Sequence, residues 1–316
     1  MLTMTPVDTG ESQFFPSPQP SPTRGEGEKC HHENRGSVTT RFAPSPTGEL
    51  HLGHAYSALF AANAARCAQG RFLLRIEDID ATRSRPSFIA AIEQDLSWLG
   101  LEWERPVRRQ SEHLGDYAAA LARLDAMGLI YPCFCTRGDI AREIVRAGEA
   151  PHRPEGPHYP GLCRGLPPDL VAERKAVGIP FALRLDMAKA IAMIGSLSWV
   201  DEAAGVIRAE PELFGDVVLA RKDSPTSYHL AVTVDDALQE VSLVTRGLDL
   251  FTATHVHRLL QALLGLPVPH WHHHRLVTGP TGKRLAKRDN ATSLRALRAN
   301  GVTPDAVRLM LGLCKI

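Results

Sequence analysis

The chain has 316 residues, 36 basic against 35 acidic side chains for a net charge of +1, and 44% apolar content. That apolar share is close to the globular average and excludes wholesale disorder, and the length fits one large domain or two ordinary ones. No apolar run reaches the roughly 18 residues a bilayer span needs, and residues 1–36 lack the cationic start and apolar core of a secretory signal, so a cytoplasmic protein is expected.

Residues 1–36 carry Pro6, Pro16, Pro18, Pro20 and Pro22 among Ser, Thr, Gly and Glu, with almost no aliphatic side chains. Such a stretch cannot bury enough surface to offset its ordering entropy, so a disordered tail, or sequence upstream of the true start, is expected. Val38–Ala43 reads as a strand running into Pro44 and Pro46, and Ala55–Gln69 as an Ala-rich helix stopped by Gly70. Arg71–Ile76 is a second strand and Phe88–Leu99 a second helix, stopped by Gly100. Strand, helix, strand, helix predicts a parallel sheet of βαβ units. Tyr117–Met127 is a further amphipathic helix. Residues 131–165 are rich in Pro, Gly, Cys and His and read as irregular, part of an insertion over about 131–180. Beyond Ile179, strands are expected at Phe181–Leu185, Val217–Leu219 and Leu243–Thr245, and helices at Thr252–Leu264 and Pro304–Leu313.

The near-zero net charge hides an asymmetry. Between Trp271 and Ile316 nine Lys or Arg face only Asp289 and Asp305, which points to a polyanionic partner such as phosphates or nucleic acid, or else to a solvated helical face. The six cysteines do not read as a disulfide framework: Cys30, Cys67 and Cys314 are scattered, and only Cys133, Cys135 and Cys163 cluster.

The most specific segment is Arg41-Phe-Ala-Pro-Ser-Pro-Thr-Gly-Glu-Leu-His-Leu-Gly-His54. A strand delivers an Arg, a rigid Pro-Ser-Pro turn follows, and two histidines flank a Gly at a helix start. Gly53 allows a ligand to approach the backbone, the helix N-terminus offers amides to an anion, and His51 and His54 can hydrogen-bond phosphate oxygens as their charge grows.

This string resembles the His-x-Gly-His signature of class I aminoacyl-tRNA synthetases in its glutamate-specific form. Arg284–Arg288, within Gly282-Lys-Arg-Leu-Ala-Lys-Arg-Asp289, is similar to the family's Lys-Met-Ser-Lys-Ser loop. Lys287 matches the second lysine, whereas Arg284 replaces the first and Ala286 and Arg288 the serines. Arg75-Ile-Glu-Asp-Ile-Asp80, Tyr228-His-Leu-Ala-Val-Thr-Val-Asp-Asp236 and Thr245-Arg-Gly-Leu-Asp249 resemble three more family segments, in family order. The resemblance implies a Rossmann-like, doubly wound parallel sheet over residues 37–316. It implies ATP with Mg²⁺ at His51, Gly53, His54 and Lys287, of which His51, His54 and Lys287 are catalytic. It places L-glutamate among Arg41, Phe42, Ala43, Pro44, Ser45, Glu77, Tyr228 and Arg246, with Glu77 on the ammonium group. Residue chemistry agrees, since a dicarboxylate substrate needs two anion sites and arginine supplies permanent, bidentate ones.

Cys133 and Cys135 can face one ion from an extended segment, and three sulfurs favour structural zinc over harder metals, reduced metal-free cysteines being the alternative. Chemistry alone selects His158 as fourth ligand, because a phenolate is costly with a tyrosine pKa near 10. The resemblance selects Tyr159, through the pattern Cys-x-Cys…Tyr-x-x-x-Cys, giving Cys133, Cys135, Tyr159 and Cys163. The tract His270, His272, His273, His274 is expected just ahead of a strand, in packing or ATP-side contacts rather than on a metal.

The chain ends about 25 residues after the second signature, too few for an anticodon-binding domain of the usual ~100 residues or more. With the cysteine pattern, this resembles a shortened branch of the glutamate-specific synthetases. That branch activates glutamate without tRNA and esterifies it onto the queuosine cyclopentenediol in the anticodon of tRNA(Asp). A monomer is expected. The other readings are a shortened synthetase charging the tRNA 3′ end, a nucleotidyltransferase, and an inactive tRNA-binding paralogue.

Overall fold

The computed structural model describes residues 37–146, 159–278 and 292–313. The N-terminal tail, His158, and Lys287 with the rest of the Arg284–Arg288 stretch lie outside the described residues.

In chain order the elements are β1 (Thr39–Phe42), α1 (Leu52–Cys67), β2 (Arg71–Ile76), α2 (Pro86–Trp98), β3 (Glu104–Arg109), α3 (Leu114–Ala126), β4 (Ile130–Cys133), α4 (Arg137–Arg146), α5 (Pro168–Ala176) and β5 (Ala182–Leu185). There follow α6 (Met187–Ile194), β6 (Ser198–Asp201), β7 (Gly205–Arg208), β8 (Val218–Ala220), α7 (Tyr228–Leu238), β9 (Leu243–Gly247), α8 (Ala253–Leu264), β10 (His270–His274), α9 (Leu294–Ala299) and α10 (Pro304–Met310). No helix among the described residues is long and apolar enough to cross a membrane.

Strands β1, β2 and β3 form a parallel sheet in that order. The charged β3, Glu-Arg-Pro-Val-Arg-Arg, escapes a search for apolar runs because it lies at the sheet edge, where proline and charge are tolerated. A second sheet runs β7-β6-β10-β9, parallel except for the β6–β7 hairpin. The two meet where β1 and β9 lie side by side: the Thr39 amide donates to Ser242 Oγ and the Ser242 amide to the Thr39 carbonyl, both at 3.0 Å. From β1 the chain winds through α1 to β2, and from β9 through α8 to β10 on the opposite side. The doubly wound parallel arrangement is therefore present, with its order reversing between β1 and β9, which is where such sheets open a binding crevice.

α1 starts at Leu52 rather than Ala55, because His51 caps it: the Gly53 amide donates to His51 Nδ1 (3.1 Å) and the His51 amide to His54 Nδ1 (3.2 Å). Beyond its other end Gly70 lies alongside Val38, just ahead of β1, where a Cβ would fall 1.9 Å from the Val38 carbonyl oxygen. α1 and α2 pack with α9 and α10 through Leu59, Leu96, Leu294 and Val307, while α3, α6, α7 and α8 surround a second core. Trp199 of β6 and Trp271 of β10 meet edge to face at 5.5 Å.

Two local readings change. The stretch 131–165 begins with ordered structure: β4 pairs antiparallel with β5, and α4 follows. Pro132 reads as a strand breaker, yet β4 is the edge of the β4-β5-β8 sheet, where a missing N–H costs little. The histidine tract does not precede a strand; it is β10, its rings alternating between the two faces of a buried parallel strand. Cys133, Cys135 and Cys163 are free thiols.

Candidate active site

A cavity of about 530 Å³ opens over the ends of β1 and β9. Arg41, Phe42, Ala43, Pro44 and Ser45 line one wall, His51, Gly53 and His54 the start of α1, and Glu77, Tyr228 and Arg246 the remainder. The structure thus brings together every described residue that the sequence places on glutamate or ATP.

Buried charge organises the floor. Asp236 on α7 accepts Arg41 Nε (3.0 Å) and Nη2 (3.3 Å), and also Arg75 Nη1 (2.8 Å). Arg41 Nη1 donates to the Thr245 carbonyl (3.2 Å), so this arginine ties β1 to both α7 and β9. Neighbouring Asp235 accepts from Arg108 Nε (2.7 Å), Gln110 Nε2 (2.8 Å) and the Tyr117 hydroxyl. Burial works against ionisation of Asp236, but Arg41 and Arg75 outweigh it and hold its carboxyl below the usual range. Glu77 shares Arg75 through Oε1 (3.3 Å), yet burial wins there and raises its carboxyl above the ordinary value, with Arg75 and Arg41 opposing. A cation arriving at Glu77 would relieve that penalty.

Arg246 is held differently. Its Nε donates to His273 Nε2 (3.1 Å), Nη2 to Thr254 Oγ1 (2.6 Å), and Nη1 reaches the Tyr228 hydroxyl and His257 Nδ1, both at 3.3 Å. All four partners are neutral groups, and among the described residues no carboxylate pairs with this guanidinium, which is only 6% exposed. Burial lowers its pKa below the ordinary value for arginine. The same burial, reinforced by the charge of Arg246, keeps His257 neutral far below its usual pKa. A buried guanidinium bonded only to neutral groups, facing a cavity, favours an anionic ligand.

The two signature histidines are oriented by their own cap. Each uses Nδ1 to accept a backbone amide, so the proton of the neutral ring sits on Nε2. Both can present a ring N–H at the mouth of the helix N-terminus, the geometry an anion needs. His274 also lines the cavity; its Nδ1 donates to the Arg275 carbonyl and its Nε2 lies 3.0 Å from Ser57 Oγ. At Gly247 a Cβ would lie 2.4 Å from Asp249 Oδ1, so any side chain there would have to displace the Asp249 carboxylate.

Sequence reasoning missed Asp236 as the hub of the floor, and Asp201, His257 and Thr254 behind Arg246. The paired aspartates of the Tyr228–Asp236 segment carried a signal for the first. Nothing local marks Asp201, which meets His273 across 72 residues.

Away from the cavity, Cys133, Cys135 and Cys163 present sulfurs within 4.8 Å of one another. Tyr159 Oη lies 3.3 Å from Cys133 Sγ and 3.7 Å from Cys135 Sγ, and accepts the Cys163 amide (2.8 Å). The Arg184 guanidinium stacks 3.9 Å above the Tyr159 ring. Burial, with the neighbouring thiols, pushes the Tyr159 phenol well above its ordinary pKa, so only a bound cation would make it a phenolate.

A family profile described as tRNA synthetases class I (E and Q), catalytic domain, matches residues 37–315, and the chain belongs to that family of ligases. It is 50% identical over 282 residues to the glutamyl-Q tRNA(Asp) synthetase of Rhodobacter capsulatus, covering 87% of this chain and 100% of that protein. It is 44% identical to the protein of that name from Symbiobacterium thermophilum, covering 84% and 83% of the two chains. Among solved structures, a glutamate-tRNA synthetase from Elizabethkingia anophelis superposes with a TM-score of 0.69 at 28% identity, over 80% of this chain and 53% of that one.

Proposed function

We propose that this protein activates L-glutamate with ATP and transfers the glutamyl group to queuosine in the anticodon of tRNA(Asp). The observation that carries glutamate is the pairing, in one cavity, of the buried Arg246, bonded among the described residues only to neutral groups, with the buried Glu77 carboxylate. The queuosine assignment draws on the likeness to the Rhodobacter capsulatus protein over that protein's whole length.

In this reading the substrate ammonium sits at Glu77, one substrate carboxylate at Arg246 and Tyr228 and the other toward Arg41, with Phe42 through Ser45 closing the pocket. A neutral analogue such as glutamine would leave Arg246 facing an uncharged amide in a buried site, a strong basis for rejection. The Nε2–H groups of His51 and His54 donate to ATP phosphate oxygens, joined by Lys287. Mg²⁺ accompanies ATP and shields its phosphates. The glutamate α-carboxylate attacks the α-phosphorus, the bond to pyrophosphate breaks, and glutamyl-adenylate forms. A queuosine hydroxyl then attacks the acyl carbon and AMP leaves. Positioning and charge stabilisation supply the rate, without a protein nucleophile.

The cluster of Cys133, Cys135, Tyr159 and Cys163 fits a structural zinc: three soft sulfurs and one oxygen converge, with Arg184 placed to offset their negative charge. Elemental analysis is expected to find one zinc per chain, lost in Cys163→Ser. A further part of this reading is that residues 1–36 are a tail outside the catalytic domain, and that about 131–180 is an insertion in it.

The deciding experiment combines glutamate-dependent ATP–pyrophosphate exchange without tRNA and glutamylation of tRNA(Asp) with and without queuosine. Exchange and queuosine-dependent ester formation are expected. Equal ester formation on queuosine-free tRNA would show charging of the 3′ end instead, and absence of exchange would point to a non-catalytic tRNA-binding protein.

A further inference from the structure

Behind Arg246 runs a chain of contacts that leads away from the cavity. Arg246 Nε donates to His273 Nε2 at 3.1 Å, and His273 Nδ1 lies 2.7 Å from Asp201 Oδ2. A ring nitrogen that accepts from a guanidinium must offer its lone pair, so the proton of a neutral His273 ring has to sit on Nδ1. Only an acceptor can face that proton, and Asp201 is one.

The carboxylate is itself fixed. Asp201 Oδ1 accepts the amides of Ala203 (2.9 Å) and Ala204 (3.0 Å) in the β6–β7 turn, and Oδ2 accepts the His273 amide (3.2 Å) as well as the ring. Both oxygens face donors, and the side chains of Asp201 and His273 are each 1% exposed. Burial keeps the ring uncharged, pushing His273 down to about 4 although Asp201 pulls the other way. Arg246 therefore bonds to a neutral imidazole, with the negative charge one ring further away. A carboxylate in direct contact would neutralise the guanidinium and weaken its attraction for a ligand anion.

We infer that Asp201 is a positioning residue for substrate recognition: it locks His273 in the Nδ1–H tautomer, so that Arg246 is anchored by a neutral acceptor and keeps its charge for the substrate carboxylate. The inference rests on the reading that Arg246 receives glutamate. In Asp201→Asn, whichever way the amide turns, its NH₂ opposes donors. Turned away from the two turn amides it faces His273, draws the ring proton to Nε2, and sets that N–H against Arg246 Nε–H. The same logic, a carboxylate fixing the tautomer of a histidine that serves a third group, operates in catalytic triads.

The test needs two measurements. In the wild-type protein, ¹⁵N-histidine spectra, with His273 assigned by the loss of its signals in His273→Gln, are expected to show a neutral Nδ1–H ring at pH 7. An Nε2–H or cationic ring overturns the inference without any variant at Asp201. In Asp201→Asn, the tautomer is expected to switch and the KM for glutamate in pyrophosphate exchange to rise on the order of tenfold, with kcat and the KM for ATP within about twofold. An unchanged glutamate KM, or an equal loss in all parameters, overturns it. Arg246→Lys is measured alongside. If that variant also leaves the glutamate KM unaltered, the placement of glutamate at Arg246 has failed; if it raises the KM while Asp201→Asn does not, only the positioning role has.

Discussion

Glu77 and Arg246 carry opposite charges, yet the same physical cause shapes both: burial disfavours each ionised form, and the interior offers each only partial relief. A zwitterionic substrate supplies the missing partners at both ends. Glu77→Gln keeps the shape and removes the charge, so the ammonium loses a charge-assisted bond worth about 1.5–3 kcal/mol, and the KM for glutamate is expected to rise roughly tenfold or more. Steady-state pyrophosphate exchange measures it, and an unchanged KM would remove Glu77 from the ammonium site. At this scale the sequence was informative about residue type and weak about state. His51 and His54 stand out in the string as phosphate ligands, but that each also caps α1 through Nδ1, and is thereby set to present Nε2–H, depends on a backbone path no motif encodes.

Between elements, the C-terminal helices are tied to the first sheet by charge as well as by apolar contact. Arg295 pairs with Glu49 within the signature string (3.3 Å), and Arg298 approaches Asp95 on α2 at 3.5 Å while bonding Gln94 (3.0 Å). Much of the basic character of the last stretch is thus used within the protein; Arg308 adds to this by capping the Leu99 carbonyl of α2 (2.7 Å). Asp95 is fully buried, both its oxygens lack a hydrogen bond among the described residues, and burial pushes it up to about 6, with Arg298 opposing. The folded state therefore binds this proton more tightly than the unfolded chain does. Stability from Asp95 is complete below its ordinary pKa of 3.8 and is lost as pH rises through about 6. Asp95→Asn cannot ionise, so it is expected to flatten the stability profile over that window and to be more stable than wild type at pH 8 by roughly 2–3 kcal/mol. Urea unfolding at pH 4.5 and pH 8 reads both effects; equal stability of the two proteins at pH 8 would contradict them.

Across the whole molecule, the cavity floor doubles as the fastening of the fold. Asp236 on α7 holds Arg41 of β1 and Arg75 of β2, while Asp235 beside it holds Arg108 of β3 and Tyr117 of α3. Asp236→Asn leaves two buried guanidinium groups short of charge, and removing one partner from such a set typically costs about 3–5 kcal/mol. A loss of that size in urea unfolding, with glutamate activation falling alongside, is the expected result; a change near zero would mean that the cluster rearranges.

Periodicity and punctuation were enough to read the parallel βαβ beginning, and the ordered series of motifs was enough to read the family and the set of residues around the cavity. Both are local properties: a helix stop at Gly70 or a string such as Arg41–His54 is written in consecutive residues. The edge strands β3 and β4 were illegible for the same reason, since their charge and proline are tolerated only because, among the described residues, one side of each strand has no partner. The histidines of β10 looked like a single tract and are two faces of a strand, one facing Phe60 and α1 and the other facing Arg246. Asp201 and His273, or Arg41 and Asp236, lie far apart in the chain, and no spacing rule joins them. What the sequence by itself determined is the supply of charges and the elements that carry them. Which charges are paired, and which one is left with neutral neighbours to meet a substrate, was decided only by tertiary structure, because desolvation and distance act on positions in space.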